Sequence, residues 1–113
     1  MYEDIVFDSA LEMRYYRDVI LPHVKDGTIT CLERQKRYVL QPTFFNNGKK
    51  VQPIVYKADF YVVDKDGKET VIDIKGCPDA AALLKRKLFW YVYPNLNYIW
   101  IGYSKADGRM VFV

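Results

Sequence analysis

Tyr56-Lys57-Ala58-Asp59-Phe60-Tyr61-Val62-Val63, then Asp64-Lys65-Asp66-Gly67-Lys68, then Val71-Ile72-Asp73-Ile74-Lys75-Gly76, is the stretch on which the fold turns. Two apolar runs flank a short segment rich in Asp, Lys and Gly, which is a β-hairpin signature. Folding at that turn brings Asp59 close to Asp73. Alternation along the second strand puts Asp73 and Lys75 on one face and Ile72 and Ile74 on the other. Two acids and a lysine on one face of an otherwise apolar sheet need a reason, and a divalent metal supplies one.

Around this hairpin the chain reads as helix, strands, helix, strand. Ser9-Ala10-Leu11-Glu12 has the form of a capping box opening a helix over Ser9 to Leu21, with Leu11, Tyr15 and Val19 as its apolar stripe and Pro22 as its stop. Thr28–Leu32 reads as a strand, and Arg37–Leu40 as a second strand or its continuation. Phe44 to Lys50 suggests a loop or hairpin tip. Ile54–Val63 and Glu69–Lys75 are the strands of the quoted hairpin. Gly76-Cys77-Pro78 breaks the sheet, and Asp79 can cap a helix running to about Tyr91. There Ala80, Leu84, Leu88 and Tyr91 form the expected buried stripe. Asn97–Tyr103 and Met110–Val113 read as closing strands around an Ala106-Asp107-Gly108 turn. The fold class is α/β, an α+β sandwich on a mixed sheet, in a single domain spanning residues 1–113.

Composition narrows the function. Half of the 113 residues are hydrophobic and 16% are aromatic, which argues against disorder. No apolar run approaches the ~20 residues of a membrane span, and the start of the chain lacks a leader pattern, so a soluble cytoplasmic protein is expected. Cys31 and Cys77 read as reduced thiols, and His23, the one histidine, cannot complete a zinc set with them. His23 reads as a helix-terminal surface residue, and Cys77 as packed beneath a turn. A net charge of +3 permits nucleic-acid binding without requiring it.

Phosphodiester hydrolysis needs a nucleophile, charge neutralisation at phosphorus and help for the leaving oxygen, all of which a bound divalent cation can provide. Mg2+ prefers carboxylate oxygen and water, usually with one or two protein carboxylates. Asp59 and Asp73 suit that role, with the backbone carbonyl of Ile74 as a third ligand. Lys75 is placed to orient the attacking water or to stabilise charge on the phosphate.

The ordered set Asp59, thirteen intervening residues, then Asp73-Ile74-Lys75 resembles the PD-(D/E)XK nuclease superfamily, with Ala58 where the name has proline. The stretches Phe7-Asp8-Ser9-Ala10-Leu11-Glu12, Leu40-Gln41-Pro42, Tyr56 to Phe60, Asp73 to Gly76 and Lys85 to Phe89 are similar to small phage-encoded members, including Holliday-junction-resolving nucleases. The resemblance covers residues 7 to 101. It implies a restriction-endonuclease-like core of helix, three antiparallel strands, helix and strand. It implies a Mg2+-dependent DNA endonuclease, with Mn2+ as substitute, acting on branched DNA as a homodimer, phage- or prophage-encoded in a bacterial host. It also implies that Glu12 approaches the metal, directly or through water.

Plainer readings stand beside these. Glu12 can simply close its capping box, and Asp73 with Lys75 can be a surface ion pair on an edge strand. Lys85, Arg86 and Lys87 are either a solvated helix face or phosphate contacts, with Lys87 nearest the expected stripe. Arg34, Lys36, Arg37, Lys49 and Lys50 either extend a basic track for DNA or serve solubility. Gln41 is a positioning residue for the site or a polar strand end. The rival function is a non-catalytic DNA-binding or protein-interaction module on a nuclease-like fold.

Overall fold

The computed structural model describes residues 5–7, 9–75, 79–104 and 109–112, those from 103 onward by backbone alone. Extended Ser9 caps helix α1 (Ala10–Tyr15), its Oγ accepting from the Glu12 amide at 3.1 Å. The helix does not stop before Pro22. A π-helical segment (Tyr16–Ile20) intervenes, and the chain continues as α2 (Leu21–Lys25). Proline has no amide to donate, and its ring crowds the carbonyl four residues back. The wider turn absorbs that misfit, with Leu21 donating to the Tyr16 carbonyl five residues behind it. The extra residue also rotates the inward stripe. Leu11 and Val19 are half-buried, while Tyr15, Tyr16 and Ile20 are buried. His23 lies exposed in α2, 3.6 Å from Asp26.

The strands are β1 (Ile29–Gln41), β2 (Phe44–Asn46), β3 (Lys49–Val51), β4 (Ile54–Asp64), β5 (Glu69–Ile74), β6 (Asn97–Ser104) and β7 (Arg109–Phe112). β1 runs unbroken through the polar Glu33–Arg37 stretch. The main sheet has the order β1-β4-β5-β6-β7, while β2 and β3 form a separate hairpin. Only β5 and β6 pair in parallel, as a crossover through helix α3 (Ala80–Val92) requires. The hairpin between β4 and β5 is tied by Asp64, whose Oδ1 accepts from the amides of Asp66 and Lys68, and by Gly67 at φ 82°.

Apolar clusters cover both faces of the sheet. Tyr38, Tyr56, Ala58, Val71, Tyr98 and Trp100 pack against Phe89 of α3. On the other face Phe60, Val62, Ile72 and Ile101 pack against Tyr15, Tyr16 and Ile20. In β4 Ala58 and Phe60 belong to opposite clusters, although strict alternation would put them on one face. The same swap occurs in β1 between Tyr38, on the α3 side, and Leu32, on the other. The ladder register is constant across the swap, but the step between Arg34–Phe60 and Lys36–Ala58 is skipped. That step holds Gln35, at φ 57°, and Asp59.

Helix α3 turns a different face to the sheet from the expected one. Leu84 and Tyr91 are exposed, as are Leu83 and Trp90, whereas Phe89 is fully buried with Ala82, Leu88 and Tyr93 packed nearby. The inward turn carries Lys85 and Arg86, both half-buried, and leaves Lys87 exposed. The Val55 carbonyl takes Lys85 and the Trp100 ring takes Arg86, which gives both cations a place on the inward turn. Gly76, Cys77, Pro78 and the Ala106-Asp107-Gly108 turn lie outside the described residues; Cys31 is a free, exposed thiol on β1. Among the described residues no helix is long and apolar enough to cross a membrane.

Candidate active site

Asp59 and Asp73 meet where β4 and β5 part. The ladder between these strands pairs Phe60 with Ile72, so one more step would set Asp59 opposite Asp73. The backbone pairing ends there. Instead, the Ile74 amide donates to Asp59 Oδ2 at 2.8 Å, so a side chain fills the missing rung. Lys75 leaves β4 as well, its amide donating to the Ile101 carbonyl of β6 at 2.8 Å. Ile74, expected to offer its carbonyl, is thus joined to the site through its amide.

Asp73 is 3% exposed and stands on the α3 side of β5, while Ile72 and Ile74 face the other layer. Lys75 Nζ lies 2.7 Å from Asp73 Oδ2. The approach is off-angle, so this buried oxygen has an ion-pair partner but no hydrogen-bond donor. Burial, then the hydrogen bond and charge of Asp73, push Asp59 up to about 8. The Ile74 amide pulls Asp59 the other way, and the charge of Glu12 adds to the rise. Asp59 therefore feels both other acids of the expected set.

Glu12 is 1% exposed. Its Oε1 accepts from Arg34 Nη2 at 3.2 Å and from Gln35 Nε2 at 3.3 Å. The glutamate thus clamps α1 to β1 close to the acid pair. This corrects the expectation for Arg34, which is spent on Glu12 and stacks 4.3 Å over Phe7 instead of lining a DNA track. Lys36 is also committed, lying 3.9 Å over the Tyr61 ring and 3.4 Å from Glu33. Arg37 stays exposed on β1. Gln41 is remote from the acids: its Nε2 donates to the Pro42 and Gln52 carbonyls, closing the neck of the β2–β3 hairpin.

The basic residues of α3 that turn toward the site are Lys85 and Arg86, not Lys87. Arg86 lies 4.1 Å over the Trp100 ring, and Lys75 lies 5.3 Å from the same ring. Lys85 Nζ donates to the Val55 carbonyl at 3.2 Å. A cavity of about 400 Å3 opens here, lined by Tyr56, Lys57, Lys75, Asp79, Lys85 and Trp100 among others. Asp79 caps the helix at its rim, accepting from the Ala82 amide at 2.8 Å.

Tyr56, Tyr98 and Trp100 form an aromatic wall beside Asp73. Trp100 Nε1 donates to the Tyr98 hydroxyl at 2.7 Å. Burial and then the Asp73 charge hold the Tyr56 phenol far above its ordinary range, so it stays neutral. The available signal was parity, since Tyr56 and Ala58 share a face and Trp100 pairs with Asp73 in the β5–β6 ladder.

Among the described residues no group of three or more His, Cys, Asp or Glu side chains is arranged to hold a metal ion together. The pair Asp59 and Asp73 still fits a hard cation. Half-buried Asp59 and buried Asp73 repel each other, and one Asp73 oxygen lacks a hydrogen-bond donor, which matches a Mg2+ site that keeps most of its ligands as water.

A family model described as a protein of unknown function, DUF1064, matches residues 1–107, and the chain belongs to that family. No curated protein matches the chain.

Proposed function

We propose that this DUF1064 protein is a metal-dependent DNA endonuclease that hydrolyses phosphodiester bonds, with branched DNA as its substrate. One observation carries the reading: half-buried Asp59 and buried Asp73 come together at the parting of two strands, with Lys75 2.7 Å from Asp73. A structural role rarely calls for a buried acid beside a half-buried one, because one of the two must take up a proton or find a cation.

Asp59 and Asp73 would hold the cation, which supplies charge neutralisation at the phosphate and a bound water more acidic than bulk water. The Ile74 amide fixes Asp59, so its carboxylate does not reorganise on binding. Lys75 orients the attacking water and stabilises charge on the phosphorus oxygens. Lys57 and Lys85 bring further positive charge to the cavity where the strand approaches, and Arg86 stacks on Trp100 of its wall. Tyr56, Tyr98 and Trp100 exclude bulk water from one side, which strengthens these interactions. Glu12 is a positioning residue, holding β1 beside Asp59.

Two symmetric cuts at a branch call for a two-fold homodimer. The exposed face of α3, with Leu83, Leu84 and Tyr91, is the apolar surface offered to a second copy. The protein is incubated with linear duplex, single-stranded and four-way-junction DNA, in Mg2+, Mn2+ or chelator, beside Asp73→Ala and Lys75→Ala. Metal-dependent cutting lost in both variants supports the assignment. Cutting that survives Asp73→Ala overturns it.

A second reading, a non-catalytic DNA-binding module, is favoured by the lack of a three-ligand group among the described residues. Calorimetric titration with Mn2+ separates the two, since a decayed site should take up none.

A further inference from the structure

The far end of the β1–β4 ladder carries β2 and β3 as a two-stranded extension, and the molecule is elongated, 53 × 33 × 28 Å. Residues 37–58 contain no Asp or Glu, yet include Arg37, Lys49, Lys50 and Lys57. The chain as a whole is only +3, so this arm carries its excess charge. Arg37 stands directly opposite Lys57 in the ladder, and both are exposed. Like charges facing each other across a ladder are unfavourable unless an anion lies between them.

At the tip, Asn47 (φ 51°) and Gly48 (φ 77°) make the tight turn. Phe45 is 69% exposed and Phe44 46% exposed. Phe45 pairs with Lys50, and Asn46 with Lys49, so the exposed ring and the ammonium groups occupy adjoining rungs. Every residue of β2 is exposed, so the rings rest on no core. Aromatic faces interleaved with cations, free of acids, are the chemistry that grips a polynucleotide strand: phosphates on the cations, a base on the ring.

We infer that this arm is a nucleic-acid grip, with Arg37 and Lys57 on backbone phosphates and Phe45 stacked on an unpaired base. This rests on the nucleic-acid reading above, but not on catalysis, so its test is done in chelator. Fluorescence anisotropy is measured on a four-way junction, an oligothymidine strand and a blunt duplex, over a range of salt.

Phe45→Ala should weaken binding to the junction and the single strand by at least about fivefold, leave the duplex unchanged, and be rescued by Phe45→Trp. Arg37→Gln with Lys57→Gln should weaken all three and flatten the salt dependence by close to two phosphate contacts. Wild-type affinity on every DNA for Phe45→Ala overturns the inference. So does a Phe45→Ala effect confined to self-association in light scattering, which would make the tip a contact between copies. Cleavage by the wild type with normal binding by the arm variants would sink the arm alone. Absent cleavage with binding lost in the arm variants would sink the catalytic reading alone.

Discussion

Gln35, in the left-handed backbone region, stands at the same skipped rung as Asp59, where β1 and β4 exchange their inward and outward faces. A residue with φ 57° interrupts the pleat, so side chains on either side of it point to different layers. The distortion lets Asp59 reach the Ile74 amide while Ala58 and Phe60 fill opposite cores. The Gln35 side-chain amide also donates to Glu12, which ties the distorted rung to helix α1.

Substitutions at Gln35 should therefore follow backbone preference before side-chain chemistry. Gln35→Val is expected to cost about 1–3 kcal/mol, since a β-branched residue resists positive φ. Gln35→Gly should cost less, because it removes the strain as well as the bond to Glu12. Urea unfolding of the two variants gives the comparison, and equal losses would show that backbone strain is irrelevant here.

Arg34→Ala leaves the buried Glu12 carboxylate without its guanidinium. Partial exposure of the arginine keeps the expected loss near the lower end for a broken buried pair, about 2–3 kcal/mol. Glu12→Gln keeps an acceptor and should lose about 1 kcal/mol or less. If Glu12 positions β1 and does not bind metal, Glu12→Gln also leaves the calorimetric affinity for Mn2+ within a few-fold of wild type.

Metal affinity should depend steeply on pH. Asp59 is raised to about 8, so it holds a proton below that pH, and a cation must displace it. Apparent affinity is expected to rise about tenfold per pH unit from pH 5 toward 8 and then level off. The stability of the metal-free protein runs the other way. The folded state binds the Asp59 proton more tightly than the unfolded chain, so stability falls as pH rises from about 4 to 8. Added Mg2+ or Mn2+ should raise the melting temperature most at the alkaline end of that window. A metal effect independent of pH would remove Asp59 from the ligand set.

The exposed face of α3 gives a fourth prediction. Leu84→Glu with Tyr91→Glu replaces two solvent-exposed apolar side chains and should leave stability within about 0.5 kcal/mol. In light scattering the same double variant should be monomeric where the wild type is dimeric. A wild type that is monomeric at working concentration would separate this protein from symmetric junction cutting.

The β4–β5 hairpin and its Asp59, Asp73 and Lys75 positions were legible because strand alternation and the Asp-Lys-Asp-Gly-Lys turn act locally. The outward face of α3 was not. Apolar periodicity favours Ala80, Leu84, Leu88 and Tyr91, because Arg86 interrupts the face that Ala82, Phe89 and Tyr93 turn to the sheet. Tertiary neighbours decide: Trp100 offers its ring to Arg86, and the Val55 carbonyl takes Lys85. The π-helical turn was hidden for a related reason, since Pro22 reads as a stop unless the preceding turn widens to accept it. The β2–β3 hairpin was visible as Asn47-Gly48, but its projection away from the core depends on the length of β1 and β4 together.

The nesting of that hairpin inside the β1–β4 ladder has a kinetic consequence. Residues 29–64 can pair among themselves through short loops, so this segment is suited to form early, before α3 and β6 arrive. Asp59 and Asp73 would meet early across the short β4–β5 turn, while Trp100 and the α3 side chains that enclose the site are still absent. A cation held by both acids inside that enclosure would join only the late, complete structure. It would slow unfolding and leave the folding rate untouched, acting as a lock on the finished protein and not as a seed for it.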